Sequence, residues 1–524
     1  MADVRAKRPN ILLITTDQQR YDSLGCNGNT VCRTPSIDSL AAAGIRYERA
    51  HVQNVLCMPS RATIVTGQYP GTHGVWNNGV CLPRESPSVA HVLKDAGYAT
   101  SHIGKMHFET TRPVFSEHLR GVGERPVMTT QFVDIDGEQI MWIVPTGEDL
   151  HGPHRGFDFI EHCNHFVSGH HALWVRDQIG PKEMNRVLVE TMRAFRDGFG
   201  GDTGALQSVY SMLPAELHAS TWVVDRTIAW LDEIGSETPF FSWVSFDDPH
   251  HPFNPPAGYG RRYDWREMTL PNARRATREA IAAELAGKPW QYGAYWRGEY
   301  GSHEGSLGGF TPMDLTDDQV REMIALTYGM VELIDDNIER LLAHLVARGL
   351  DADTHVFFTT DHGELLGDHG LILKGPFHLD GLVRAPLIWR DPHSIRGVVT
   401  DPVGLLDLAP TFCSVAGVPI PGWMDGAVLP VADGTRERVL TQYDSQVTPE
   451  LVLRSMYRDG WFVTAYPKMG GVGELYDMRE DPHQVVNRWE DPARRALRDE
   501  LVRDLAEHVV EDPRAERLRW WAIA

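Results

Sequence analysis

The chain has 524 residues, 42% hydrophobic and 23% charged, a balance that excludes disordered, collagen-like and coiled-coil proteins. With 50 Lys and Arg against 71 Asp and Glu the net charge is −21, so neither nucleic acid nor an anionic membrane surface is the expected partner. Six cysteines, with no CxxC pair and no zinc-finger spacing, exclude a disulfide scaffold and a zinc finger. The basic start MADVRAKRPN leads into ILLITTD, an apolar run too short for a secretory segment and ended by Asp17. It reads as a first strand, Asn10–Thr16, and the expected location is cytoplasmic. No apolar stretch approaches the roughly 18–20 residues needed to span a bilayer.

Further short apolar runs, Tyr98–Ile103, Phe240–Phe246 and His355–Thr360, alternate with helical patterns through about residue 410. That alternation predicts an α/β fold with a mostly parallel sheet. Between Thr110 and Leu231 the pattern loosens into a His-, Gly- and Pro-rich stretch, read as substrate-side loops over residues 110–231. His151, His154, His162, His165, His170 and His171 are spaced too irregularly for a metal site; Trp142, His170, His171 and Trp174 are candidates to line a pocket. The clearest helical period runs from Arg321 to Arg348 and stops at Gly349. On it, Asp335-Asp336 reads as a pair turned to solvent or to a basic neighbour.

Val418–Arg438, rich in Pro, Gly and charge, reads as a linker. After it come strands over Val439–Tyr443, Leu451–Tyr457 and Trp461–Tyr466, then a helix over Asp491–Val510. The expected organisation is a catalytic α/β domain over 1–417, a linker over 418–438, and a small antiparallel sheet plus helix over 439–524. The tail carries Trp520-Trp521, costly to leave exposed, which points to a homo-oligomer, dimer or tetramer.

Four reactive sets fall at the carboxyl ends of the predicted strands, where open α/β sheets bind ligands. Asp17-Gln18 follow ILLITT, Lys105 and His107 follow ATSHIG, His250 follows FSWVSFDDP, and Asp361-His362 follow VFFTT. Asp17, Gln18, Asp361 and His362 form a candidate site for one divalent cation; oxygen ligands suit Ca²⁺ or Mg²⁺, and an imidazole moves the preference toward Mn²⁺. Cys57 stands just before a predicted helix with Pro59 near its start and Gly67 at its stop. Unpaired N–H donors at that end, with Arg61 one turn away, would favour an anionic ester. Cys57 itself reads equally as an activated thiolate, a structural thiol or a modified residue.

The run C-x-P-S-R-x-x-x-x-T-G (Cys57, Pro59, Ser60, Arg61, Thr66, Gly67) resembles the type I sulfatase signature, and G-Y-x-T-x-x-I-G-K-x-H (Gly97, Tyr98, Thr100, Ile103, Gly104, Lys105, His107) resembles the second signature of that family. Pro249-His250-x-Pro252, Thr360-Asp361-His362-Gly363-Glu364, Lys374, Arg384-x-Pro386-Leu387-Ile388 and Leu475-Tyr476-Asp477-x-x-x-Asp481-Pro482 extend the likeness along most of the chain, the His-rich middle excepted. The resemblance implies the alkaline phosphatase superfamily fold. Asp17-Gln18 and Asp361-His362, in place of two adjacent Asp and Asp-Asn, look like the branch of choline sulfatases, phosphonate monoester hydrolases and their arylsulfatase relatives.

The same resemblance implies that a formylglycine-generating maturation enzyme oxidises Cys57 to formylglycine, whose hydrated form attacks the sulfur of a small sulfate monoester. Cys57 then joins Asp17, Gln18, Asp361 and His362 around one Ca²⁺ or Mn²⁺, with Asp361 taking the attacking hydroxyl's proton. His250 with Lys374 would protonate the leaving oxygen, His107 would deprotonate the second hydroxyl to release sulfate, and Arg61 with Lys105 would hold the accumulating charge. Asn78 matches a substrate-binding position of the branch, although Asn78-Gly79 is also a turn dipeptide. His51 and His73 read as structural. Phosphonate monoester hydrolases typically have Tyr and Thr at the positions of Lys105 and His107, so a sulfate ester is the leading expectation and a phosphonate monoester or phosphodiester the alternative.

Overall fold

Asn10–Thr16 (β1) is apolar on both faces and buried throughout, as a central strand covered on each side must be. The computed structural model describes residues 8–109, 128–135, 138–145, 151–164, 167–196, 199–300, 311–393 and 395–511. Around β1 lie Ile45–His51 (β2), Ala99–Gly104 (β3), Phe159–His162 (β4), Phe240–Ser245 (β5), Thr354–Thr360 (β6), Arg384–Arg390 (β7) and Gly397–Gly404 (β8). They form one eight-stranded sheet in the order β8-β2-β7-β6-β1-β5-β3-β4. β7 alone runs against the rest, so the sheet is mostly parallel, as the alternating pattern implies.

Alternate residues of β1 feed two cores. Ile11 and Leu13 pack with Met58, Ala62 and Ile64 of the helix Cys57–Thr66 (α2). Leu12 and Ile14 pack on the other face with Trp222 and Val223 of Ala219–Ile234 (α3) and with Val331, Ile334 and Ile338 of Asp317–Ala347 (α4). α4 starts four residues before the predicted boundary because Thr316 and Gln319 close a capping box there. Asp335 corrects the reading of its pair as solvent-facing: it is buried and accepts from the N–H groups of Ser36 and Ile37 at 2.9 and 2.8 Å. Those are the first-turn donors of Pro35–Ala43, so a carboxylate on one helix caps another. Asp336 accepts from Tyr259 and Arg262.

The expectation of loops over 110–231 is also corrected. Within its described residues the stretch holds a hairpin, Met128–Ile135 with Glu138–Pro145, and the helices Gly169–Ile179 and Pro181–Arg196, and it runs into α3. The helical period of α3 was hidden by its mix of Ser, Thr, Trp and Asp, residues placed by packing rather than propensity. His165, and the tail with Trp520-Trp521, lie outside the described residues.

A second sheet is a four-stranded antiparallel meander of Arg438–Asp444 (β9), Val452–Arg458 (β10), Trp461–Ala465 (β11) and Gly473–Asp477 (β12). Leu501 and Leu505 of the helix Arg495–His508 pack on Leu440, Met456, Val463 and Leu475. β9 also grips the segment leading to α2: Gln442 donates its N–H to Gln53 O at 2.8 Å and Thr441 donates its hydroxyl to Val52 O at 2.7 Å. No helix among the described residues is long and apolar enough to cross a membrane.

Candidate active site

Register brings the sequence-predicted sets to one edge. Thr16 lies opposite Thr360, and Thr15 and Gly104 each lie opposite Ser245, so Asp17, Lys105, the segment after Ser245 and Asp361 all leave the sheet together. The Asp17 N–H donates to Asp248 O, Asp361 N–H to Thr16 O, and Lys105 N–H to Ser245 O, stitching the four strand ends. Gly104 is required at that crossing: its φ is +105°, and a Cβ there would lie 1.8 Å from Ser245 O.

α2 delivers Cys57 to the same edge. All ten of its residues are buried, and it ends at Gly67, whose left-handed φ of 66° lets its N–H reach Thr63 O. Asn78 Oδ1 accepts from Met58 N–H at 3.0 Å, next to Cys57, so that side-chain oxygen is engaged at the helix start. Cys57 Sγ stands 3.1 Å from Lys374 Nζ, 3.2 Å from His362 Nε2 and 3.7 Å from Asp17 Oδ1. Burial, reinforced by Asp17, pushes the Cys57 thiol up to about 12 against the pull of Lys374 and Lys105. The surrounding protein groups therefore favour the neutral thiol over the thiolate.

Arg61, fully buried one turn along, ties the site together. Its Nε donates to Asp361 Oδ2 at 2.8 Å, one terminal nitrogen to Lys105 O and Ser245 Oγ, and the other to Asp17 Oδ2 at 3.2 Å. Lys105 Nζ lies 2.6 Å from the same Asp17 oxygen. Burial disfavours ionised Asp17, yet Lys105, Arg61 and Lys374 outweigh it and hold the carboxyl well below the usual range. His107 is buried beside Lys105 in the left-handed region, with a φ of 53°. Burial, then Lys105 and Arg61, hold its imidazole well below the ordinary value, which keeps it neutral.

The donor set for a cation is coherent. Ligand atoms of Asp17, Cys57, Asp361 and His362 all lie within 4.8 Å of one another, and all four residues are buried. Gly363 O can only accept, so His362 Nδ1 donates to it at 2.9 Å and the Nε2 lone pair faces Asp17 Oδ1 and Asp361 Oδ1, each at 3.7 Å. These residues fit a divalent metal ion. Gln18 lies beside this set: its Oε1 accepts from Lys374 Nζ at 2.8 Å, and its Nε2 reaches His251 Nδ1 at 3.0 Å and the carboxylate of Glu364. The Oε1 keeps a second lone pair. Asp361 Oδ2 accepts from Arg61, and its Oδ1 accepts from the N–H groups of Gln18 and His362.

His250 and Lys374 meet as expected, with Nζ 2.9 Å from Nε2. His250 Nδ1 donates to His251 O at 2.5 Å, so Nε2 carries the lone pair and the available proton sits on Lys374. Three histidines of the middle stretch are tied to the backbone: His162 Nδ1 bonds Gly104 O, His170 Nδ1 accepts from His162 N–H, and His171 Nε2 donates to Leu217 O. His73 bonds Thr63, and His51 packs between Tyr457 and Phe462.

Four residues outside the expected site set touch the cluster, Glu364 having been named only within the Thr360–Glu364 run. Ser245 Oγ bridges Arg61 and Lys105 O, Glu364 holds Gln18, the His251 ring stacks on His250 at 4.0 Å, and Asp247 lies buried beside Lys105. A legible signal existed for Asp247 alone: two consecutive acids at a strand's carboxyl end, before the Pro-His pair.

The sulfatase family model matches residues 9–120 and 164–418, and the model of the N-sulphoglucosamine sulphohydrolase C-terminal region matches residues 367–511. The likeness thus extends through 164–231, part of the stretch that had no recognisable match by eye. The chain is 27% identical to an arylsulfatase of Clostridium perfringens over 92% of this chain and 90% of that protein. It is 27% identical to an uncharacterised sulfatase, YidJ, of Escherichia coli K12 over 92% of this chain and 83% of that one. Among solved structures, the phosphonate monoester hydrolase of Agrobacterium radiobacter superposes with a TM-score of 0.76 at 25% identity, covering 96% of each chain. The matched stretches span most of the chain and carry every residue of the cysteine cluster: the chain belongs to the sulfatase family and is a sulfuric ester hydrolase.

Proposed function

We propose that this enzyme hydrolyses a small sulfate monoester, arylsulfatase-like, through a formylglycine made from Cys57 by a maturation enzyme, with one Ca²⁺ or Mn²⁺ held by Asp17, Asp361 and His362. The observation that carries the reading is the convergence on Cys57 Sγ of Lys374, His362 and Asp17 within 3.1–3.7 Å, at the start of a buried helix. When bound, the cation supplies Lewis acidity and lowers the pKa of an attached hydroxyl. The chain's own residues do the rest. Arg61 and Lys105 bring fixed positive charge where sulfate oxygens gather charge. Lys374 holds the proton that the leaving oxygen needs, and His250 Nε2 orients that ammonium and takes a share of its proton. Neutral His107 is the base that permits sulfate release from the modified residue.

Peptide mass spectrometry across Cys57, on protein coexpressed with the maturation enzyme, tests the nucleophile. Formylglycine is expected, with activity tracking its fraction; a wholly unmodified thiol in active protein overturns the mechanism. The likeness to the Agrobacterium hydrolase favours a second reading, phosphonate monoester or phosphodiester hydrolysis on the same scaffold. Lys105 at 2.6 Å from Asp17 and His107 beside it support sulfate instead. Comparison of kcat/KM for phenyl sulfate and phenyl phosphonate esters decides, and a clear phosphonate preference reverses the order.

A further inference from the structure

Among the described residues at this edge, Asp247 is the carboxylate whose oxygens accept no hydrogen bond. It is 7% exposed, follows β5, and neither Oδ1 nor Oδ2 has a hydrogen-bond partner. Lys105 Nζ stands 3.8 Å from Oδ1, too far for a hydrogen bond, because it is drawn to Asp17 at 2.6 Å. Every comparable acid nearby is engaged: Asp17 by Arg61 and Lys105, Asp361 by Arg61 and two backbone N–H groups, Asp248 by the Ser220 hydroxyl, and Glu364 by Gln18 and the Leu366 N–H. A buried carboxyl without donors is costly to the fold, and such groups persist where a ligand supplies what the protein withholds. Burial also pushes Asp247 up to about 7, with Lys105 pulling the other way.

The geometry points to Asp247 as a specificity-determining residue that accepts a hydrogen bond from a hydroxyl on the alcohol half of the substrate, so that the preferred sulfate esters are those of polyhydroxy alcohols. This inference rests on the sulfate monoester reading. Lys105 is the residue that meets the sulfate oxygens in that reading, and Asp247 Oδ1 lies 3.8 Å from its Nζ. A hydroxyl on the carbon next to the ester is the donor closest to the sulfate. Sulfate itself brings no donor, and an aryl ester such as phenyl sulfate leaves the Asp247 oxygens as they are. Sites built to hydrogen-bond a substrate hydroxyl discriminate strongly against the analogue lacking it, because the buried acceptor is then stranded.

The test uses matured enzyme, its formylglycine verified, and three esters: trans-2-hydroxycyclohexyl sulfate, cyclohexyl sulfate and p-nitrophenyl sulfate. Wild-type enzyme is expected to favour the hydroxylated ester over cyclohexyl sulfate by about a hundredfold in kcat/KM. Asp247→Ala brings that ratio to about one, and Asp247→Asn, which keeps a neutral acceptor and the shape of the side chain, leaves it between the two. Asp247→Asn also keeps the test open should the alanine variant fold poorly. A wild-type ratio near one overturns the proposal, and so does a loss in both variants that is the same for all three esters, since that is the mark of a residue that only positions Lys105. Either result leaves the sulfatase reading standing; that reading fails only if the verified enzyme hydrolyses none of the three.

Discussion

At the seam between the two sheets, Glu474 of β12 is buried and accepts from the hydroxyls of Tyr292, Tyr466 and Tyr476, while Lys288 donates to Tyr476 and to Gln484 O. At the strand ends, Asp17, Arg61, Lys105, Lys374 and Asp361 are equally buried and carry more charge. At the seam the three hydroxyls are satisfied by Glu474, and Lys288 has two acceptors. The strand-end cluster is less complete, with Cys57 Sγ, His362 Nε2 and the carboxylates facing one another at 3.2–3.7 Å and the Asp247 oxygens without a hydrogen bond. Burial of charge is therefore a poor guide to function in this chain, and unfinished pairing around a common point is a good one. The seam is built for stability and the strand ends are built for a ligand.

Three substitutions set that contrast against measurement. Cys57→Ala should lower turnover of any sulfate ester by about 10⁴-fold or more, because the attacking group is gone, while the thermal unfolding midpoint moves by only a few degrees. Substantial retained turnover would place the chemistry elsewhere. Lys374→Ala comes next. Its proton matters in proportion to the basicity of the leaving oxygen, so kcat for an alkyl sulfate should fall about 10²–10³-fold and kcat for p-nitrophenyl sulfate visibly less. Equal losses on both esters would assign Lys374 to sulfate binding rather than proton transfer.

Glu474→Ala should behave in the opposite way. It strands three tyrosine hydroxyls and leaves Lys288 without its nearby counter-charge, a loss of about 3–5 kcal/mol read from the urea midpoint. Activity per folded molecule should stay near that of the parent. A variant with intact stability and lost turnover would mean that the seam is coupled to the site, through β9 and its bonds to Val52 and Gln53, and the contrast would collapse.

Four of the eight strands of the large sheet and most residues that meet at their ends were readable from sequence, for a common reason. A buried parallel strand leaves a continuous apolar run, and a polar residue directly after it has nowhere to go but the sheet edge; β1, β5 and β6 each show both features. What could not be read depends on partners distant in the chain. Asp335 looks like a surface acid until the helix Pro35–Ala43 is seen starting on it. The bond from Lys374 to Gln18 joins residues more than 350 positions apart. α3 has no clean apolar stripe because both the sheet and α4 press on it, and β12 is too short to stand out beside its Asp and Glu residues.

The smallest expected effect concerns Asp248: it is buried with the Ser220 hydroxyl as its main donor, and the His218 ring 3.5 Å away is pushed down to about 4 by burial, so it brings no charge above about pH 5. Burial pushes it up to about 7, and the Ser220 bond only partly offsets that. An unfolded Asp ionises near 4, so between about pH 4 and 7 the native chain holds a proton that the unfolded chain has released. The stability from this group is therefore fully present below about pH 4 and is lost as pH rises through about 7. Asp248→Asn cannot ionise, keeps an acceptor for Ser220, and should remove that slope. From pH 5 to pH 8 the variant should lose about 1–2 kcal/mol less stability than the parent, measured as urea midpoints at the two pH values. Parallel pH profiles for the two proteins would mean that Asp248 is ionised in the native state, and that the strand-end cluster is more fully compensated than its geometry indicates.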